Sequence, residues 1–410
     1  MKINSRITIY FLFITFIVYS GFKNGGNSSD LFNEDFETGL SKWKITNKTK
    51  IQVVESGDDQ RGKVLALYPA EASVYAIIDN SNKWNRYSVE GYVKFPENHH
   101  HYMGLIYNYQ ESSHRADFGS VHLFGPYGGE KEEHLEVRNK YLKTRIPDYE
   151  PGNRVRANPH FDGNATQKLY PEFWANVPAD DIVKVGEWRK FKAEVYDSVC
   201  HFYVGNMERP QLTFEHFFQS TGSLGFKPRD TGSPCWIDDI SVKRISQLSY
   251  QGDPIPNTQY PDKDRMISSW KMWGPFIHKQ EGIVLDDSLS QNIEWKTVNA
   301  DARGCVNLSK MTERVSGKKI VYALKTVQSE KATKATLNIS NTNPIHVWVN
   351  KKYIGKLKVS EMAWHDFLSN EENSGQSIEF DLQAGENEIL LKIAGGRFGG
   401  DGFYSSLSID

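Results

Sequence analysis

YSVEGYVKF, residues 87–95, sets Val89, Gly91, Val93 and Phe95 on one side of an extended chain and Glu90, Tyr92 and Lys94 on the other. A period of two, rich in β-branched and aromatic side chains, is the pattern of a half-buried strand. The text around it repeats the pattern between Glu34 and Ile245: KVLALYP, YMGLIYNY, FGSVHLFG, HLEVRN, WRKFKAEVY, CHFYVGN and SLGFKP, with turn residues between the segments. Many short strands at such spacing, with no amphipathic helix among them, predict a β-sandwich or barrel.

Beyond Ser246 the chain reads SYQGDPIPNTQYPDKD, where Pro254, Pro256 and Pro261 stand among Gly and Asp. That composition makes a stiff, solvated connector. Past it, IVYALKTV, ATLNIS, IHVWVN, SIEFDL, NEILLKI and FYSSLSI alternate again, with Ile345, Val347 and Val349 opposite His346, Trp348 and Asn350. The expected organisation is therefore all-β, with one sandwich domain over 32–246, a Pro-rich linker over 247–262 and a second sandwich over 263–410.

The 410 residues carry 49 Lys and Arg against 51 Asp and Glu, a formal charge of -2. A near-neutral chain without a long block of like charges lacks the concentrated basic surface that nucleic acid or an anionic membrane requires. Lys2 and Arg6 precede an apolar run from Ile7 to Tyr19, followed by the small residues Ser20 and Gly21. This is the layout of a secretory signal over residues 1–22, so the expected location is periplasmic or secreted. An uncleaved anchor is the alternative, although the run is short for a bilayer. Cys200, Cys235 and Cys305 are too few for a disulfide framework. Cys200 and Cys235 could pair in an oxidising compartment, with free thiols as the other reading. The zinc-protease, serine-hydrolase and phosphate-loop patterns HExxH, GxSxG and GxxxxGKS do not occur.

Three segments, FNEDFETGLSKW (32–43), GEWRKFKAEVYDSVCHFYVGN (186–206) and TGSLGFKPRDTGSPCWIDDISVKRI (221–245), make the first unit resemble the concanavalin A-like, or laminin-G-like, jelly rolls of carbohydrate-active proteins. HVWVNKKYIGKL (346–357), with LQAGENEILLKIAGG and FGGDGFYSSLSI, makes the second resemble galactose-binding-like jelly rolls appended to glycosidases. As a whole the chain is similar to exported proteins of polysaccharide-utilisation clusters in marine Bacteroidetes, among them the oligosaccharide dehydratases of ulvan degradation. The resemblance implies an oligosaccharide or polysaccharide ligand and no required cofactor. It also implies a structural Ca²⁺ where the opening and closing strands meet, with Glu37 and Asp238 as candidate oxygen ligands; strand-end surface acids are the other reading of those residues.

Between His99 and Tyr170 lie seven of the twelve histidines, five arginines (Arg115, Arg138, Arg145, Arg154 and Arg156) and seven tyrosines, including Tyr102, Tyr107 and Tyr170. Those three residue types suit β-elimination from a uronic acid. Loss of the C5 proton builds charge on the adjacent carboxylate, which a guanidinium can bind through two parallel hydrogen bonds. A neutral His can take the proton and a Tyr can protonate the departing C4 oxygen. The expected assignment has His122 or His134 as base, Tyr107 or Tyr170 as acid, Arg115 and Arg138 on the carboxylate, and His160 and Trp174 on the sugar. If the C4 oxygen bears a sugar the enzyme is a polysaccharide lyase, and if it is a hydroxyl the enzyme is a dehydratase. Two other functions remain open. One is glycoside hydrolysis, for which EKEEHLEVRN supplies Glu130, Glu132, Glu133 and Glu136 without an ExDxxE spacing. The other is sugar binding without catalysis, on Trp174, Trp188, Trp348 or Trp364.

Overall fold

A computed structural model describes residues 29–58, 61–71, 73–97, 102–111, 116–125, 154–161, 173–216, 220–229, 232–252, 265–277, 294–301, 304–308, 319–360, 376–395 and 402–410. The expected leader (1–22), most of the linker, His134, Tyr170, Arg115 and Arg138 lie outside these residues, as do Trp364 and the acidic run around Glu130. The described chain is all-β. Its first fifteen strands are β1 (Asp30–Glu34), β2 (Trp43–Ile45), β3 (Ile51–Asp58), β4 (Arg61–Leu67), β5 (Ala76–Ile78), β6 (Tyr87–Lys94), β7 (Tyr102–Glu111), β8 (Ala116–Phe124), β9 (Arg154–Phe161), β10 (Phe173–Asn176), β11 (Trp188–Tyr196), β12 (Val199–Val204), β13 (Leu212–Glu215), β14 (Ser223–Lys227) and β15 (Cys235–Arg244). They form an eight-stranded sheet, β13-β12-β11-β6-β15-β4-β3 with β1 alongside β15, and a seven-stranded sheet, β10-β9-β8-β7-β14-β5-β2.

The core explains the pairing. Val89 and Val93 from β6, Phe191 from β11 and Ile237 from β15 meet Met103, Leu105 and Tyr107 from β7, Val121 and Leu123 from β8, and Phe226 from β14 in one buried cluster. Each such apolar side chain removed from water contributes about 1.5–3 kcal/mol, which fixes the strand faces that alternation predicts. Gly91 has to remain glycine on this inner face, since a Cβ there would meet Ile240 Cδ1 at 2.5 Å.

Ten further strands build a second pair of sheets: β16 (Ser269–Ile277), β17 (Lys296–Asn299), β18 (Cys305–Asn307), β19 (Lys319–Ser329), β20 (Thr333–Asn341), β21 (Ile345–Val349), β22 (Lys352–Leu357), β23 (Gln376–Leu382), β24 (Gly385–Gly395) and β25 (Gly402–Ile409). One sheet runs β17-β16-β19-β24-β21-β22 and the other β18-β25-β20-β23. A separate core holds Ile345, Val347 and Val349 against Leu337, Phe380 and Phe403. Among the described residues, no helix is long and apolar enough to cross a membrane.

Cys200 and Cys235 do not pair: all three cysteines are buried free thiols. Strands β11 and β6 separate β12 from β15 in the sheet order. Three strand gaps amount to about 14 Å, twice the reach of a disulfide.

Candidate active face

Four strand registers place the chemistry. Across five strands of the seven-stranded sheet, Lys227 pairs with Gly104, Gly104 with His122, His122 with Arg156, and Arg156 with Trp174. In the row on one side stand Tyr102, Phe124, Arg154 and Asn176. The row on the other side holds Ile77, Gly225, Ile106, Ser120 and Asn158. Because side chains alternate across a strand, His122 lies opposite the core residues Val121 and Leu123, on the outer face.

That outer face is shielded from solvent. His122 is 3% exposed and Lys227 is 8% exposed. The imidazole packs on the Tyr102 ring at 4.8 Å between centroids, and Tyr102 meets Phe124 edge-on at 5.3 Å. Gly104 keeps the middle of the row open, since a Cβ there would lie 2.5 Å from Lys227 Cγ. The three rows contain no Asp or Glu.

Tyr107, expected as an acid, faces the other way. It is fully buried in the core against Phe214 and His216, and burial raises its phenol well above the ordinary value. A phenol in that position neither reaches the outer face nor gives up a proton readily. The switch of face occurs one residue on, where Asn108 takes a φ of 51° at a register shift in β7. The bulge turns Tyr109 outward, into a cluster with Tyr75, Ile77, Ile106 and Phe118. His160 and Trp174 fall in β9 and β10, and only their backbone positions are described.

The outer face of the eight-stranded sheet carries two further polar assemblies. In the first, Arg61 stacks over Tyr92 at 4.0 Å and Trp188 at 4.9 Å, and donates to Asp238 at 2.7 Å and Asp239 at 2.5 Å. Asp239 has a φ of 51° where β15 slips register against β6, and this bulge brings adjacent carboxylates to one guanidinium. Burial of Asp238 raises its carboxyl above the usual range and outweighs the hydrogen bond from Arg61. The calcium expectation does not fit these donors. Arg61 supplies the positive charge beside Asp238, and Glu37 accepts the Lys63 amide at 2.7 Å. Among the described residues, no group of three or more His, Cys, Asp or Glu is placed to hold a metal. Trp188 likewise has its ring occupied by Arg61 and by Lys94, the latter at 5.6 Å.

In the second assembly, Lys192 and Glu194 on β11 meet His201 and Tyr203 on β12. The Tyr203 hydroxyl donates to Glu194 Oε2 at 2.7 Å, and the Ser249 amide donates to the same oxygen at 3.2 Å. Lys192 Nζ donates to Ser249 Oγ at 2.9 Å, to Met207 O at 3.0 Å and to Glu194 Oε1 at 3.5 Å. Burial would raise the Glu194 carboxyl, but hydrogen bonds from His201, Ser249 and Tyr203 and the charge of Lys192 hold it at about 2. Three acceptors thus surround Lys192 Nζ. The network ties the segment leaving β15 to the sheet.

The architecture is that of a two-sandwich β-protein with a polar, sequestered sheet face. No family model matches the chain, and no curated protein matches it. Solved structures with similar regions include a glycoside hydrolase family 16 endo-glucanase from Bacteroides ovatus, at 11% identity over 52% of this chain and 99% of that one, with a TM-score of 0.34. A CBM66 carbohydrate-binding module from Bacillus subtilis is similar at 10% identity over 50% of this chain and 96% of that one, with a TM-score of 0.32. A beta-glucosidase from Kluyveromyces marxianus is similar at 11% identity, with a TM-score of 0.25; 35% of this chain is covered, and the chain spans 16% of that enzyme.

Proposed function

We propose that this is a carbohydrate-active protein, a carbon–oxygen lyase that performs β-elimination on uronic-acid-containing oligosaccharides at the outer face of the seven-stranded sheet. The observation that carries the reading is the alignment of Lys227, His122 and Arg156 in one row, with Tyr102 against the imidazole. In this reading Lys227 binds the carboxylate and stabilises the charge that grows on it as the C5–H bond breaks. His122 takes the C5 proton. The electron pair forms the C4–C5 double bond as the C4–O bond breaks, and Tyr102 protonates the departing oxygen. A sequestered face strengthens each of these electrostatic contacts relative to water. The three rows lack the paired carboxylates that glycoside hydrolysis needs, so they lend no support to that alternative.

Incubation with saturated and unsaturated uronic-acid oligosaccharides tests the proposal, read by ultraviolet absorbance of the conjugated alkene and by product mass. Alkene formation with loss of water identifies a dehydratase, and alkene formation with chain scission identifies a polysaccharide lyase. His122→Gln is expected to lower turnover by about 10²- to 10⁴-fold with sugar affinity retained. Turnover at the original rate would remove His122 from the reaction. Retained binding with no alkene from any substrate would instead establish sugar binding without turnover.

A further inference from the structure

The polar network on β11 and β12 lies under the chain that leaves the first unit. Lys192, Glu194, His201 and Tyr203 alternate with the core residues Ala193, Val195 and Phe202, so they stand on the outer face of the eight-stranded sheet. All four are nonetheless at most 6% exposed. Residues 246–252 supply part of the cover, crossing β11 and reaching β12. Tyr196 donates to Ser246 O at 2.9 Å, and the Ser249 amide donates to Glu194 Oε2 at 3.2 Å. Ser249 Oγ lies 2.9 Å from Lys192 Nζ and 3.2 Å from Tyr203 Oη, and the Tyr250 ring meets His201 edge-on at 6.0 Å.

This cover is held differently from the strands beneath it. Ser246, Gln247, Ser249, Gln251 and Gly252 are exposed, and neither of the half-buried pair Leu248 and Tyr250 belongs to the core cluster. Hydrogen bonds to ionised groups, more than apolar area, keep it down. Lifting it costs those bonds but returns Lys192 and Glu194 to water, and the recovered hydration offsets part of the loss.

We infer that residues 246–252 are an acid-released strap, which lies on the sheet at neutral pH and lifts off in acid to lengthen the tether between the two units. Acid acts through the Ser249 amide contact. A protonated Glu194 is a poorer acceptor for that amide and no longer balances the Lys192 ammonium. The groups facing Glu194 are Lys192 on β11, His201 and Tyr203 on β12 and Ser249 on the strap, with the Cys200 thiol on the core side. Glu194 is the one carboxylate among them. Because the Ser249 contact favours the ionised carboxyl, its share of the stabilisation is complete above the ordinary carboxyl range and is lost as pH falls below it. The released residues, fully extended, add up to about 24 Å of reach to the chain that leads to β16.

Spin labels on Gln251→Cys and Glu208→Cys test the strap in the full chain, because Met207 and Ser249 both bind the Lys192 ammonium and the three native thiols are buried. Both label sites are exposed. The distance between labels, read by pulsed electron resonance, is expected to be short and narrowly distributed at pH 7, and to lengthen and broaden by pH 3 while tryptophan fluorescence keeps its folded signature. Ser249→Pro removes both the amide donor and the hydroxyl from an exposed position. It should give the long, broad distances already at pH 7, again with the folded fluorescence. A distance unchanged at pH 3, a lengthening that coincides with loss of the folded fluorescence, or a Ser249→Pro protein as short and narrow as the parent at pH 7 would each overturn the strap.

Discussion

Replacing Glu194 by Gln isolates one charge in the network that holds the segment after β15. The carboxyl sits at about 2 instead of 4.5. At about 1.4 kcal/mol for each tenfold change in proton affinity, that difference is worth about 3 kcal/mol of stability at neutral pH. Its sign follows from the direction. The folded state binds this proton less readily than the unfolded state, so the stabilisation is complete above the ordinary carboxyl value and is lost as pH falls from 4.5 toward 2. Glu194→Gln keeps the shape and an acceptor for Tyr203 but leaves Lys192 without its carboxylate, a loss of the same order or somewhat larger. Equilibrium urea unfolding followed by fluorescence, at pH 7 and in steps to pH 3, measures both effects. The variant is expected to be about 3 kcal/mol less stable at pH 7 and to have a flatter acid limb than the parent. Lys192→Met combined with Glu194→Gln should recover much of the loss, because both buried charges are then gone. A cost below about 0.5 kcal/mol, or an unchanged acid limb, would refute the argument that the buried pair stabilises the fold.

Three further outcomes are expected. Gly104→Ala should cost about 1 to 3 kcal/mol and displace Lys227 from the row, read as a lower melting temperature together with weaker binding of uronic-acid oligosaccharides, since the new Cβ meets Lys227 Cγ. Residues 263 to 410, which contain the whole of the second core, should fold alone with a cooperative melt; a non-cooperative melt would place the boundary elsewhere. A thiol reagent applied to the native protein should label Cys200 and Cys235 only on unfolding, because both are buried and burial raises their thiols far above the ordinary value.

Much of the fold can be read from alternation. Val89, Gly91 and Val93 face the core, as do Ile345, Val347 and Val349, because a period of two leaves only the choice of side, and apolar area makes that choice. Pairing between strands is harder. The alignment of His122 with Arg156 depends on a register set across the stretch between β8 and β9, and no local pattern specifies it. Tyr107 and Tyr109 differ by two positions and would share a face in a regular strand. The left-handed Asn108 separates them, and its only textual sign is an Asn, a residue that tolerates this conformation, inside an apolar run. The Glu194 network did leave a signal. Lys192 and Glu194, and again His201 and Tyr203, stand two apart with apolar residues on either side of each, which sets four polar groups on one face. Reading WRKFKAEVY and CHFYVGN only for their apolar members passes over it.

The first strand takes its place late. Asp30 aligns with Lys243 and Glu34 with Ile240, so β1 has no partner until more than two hundred further residues have been made. At about 5–20 residues per second of synthesis, the wait is roughly 10 to 40 s. Throughout it, Glu34 cannot rely on β15 to seat it, although its carboxylate must accept from the Phe36 amide and the Trp43 indole in the finished fold. Closure of the first sandwich is thus coupled to completion of its last strand, and a chain stalled before residue 235 would carry an unzipped leading edge available to chaperones and proteases.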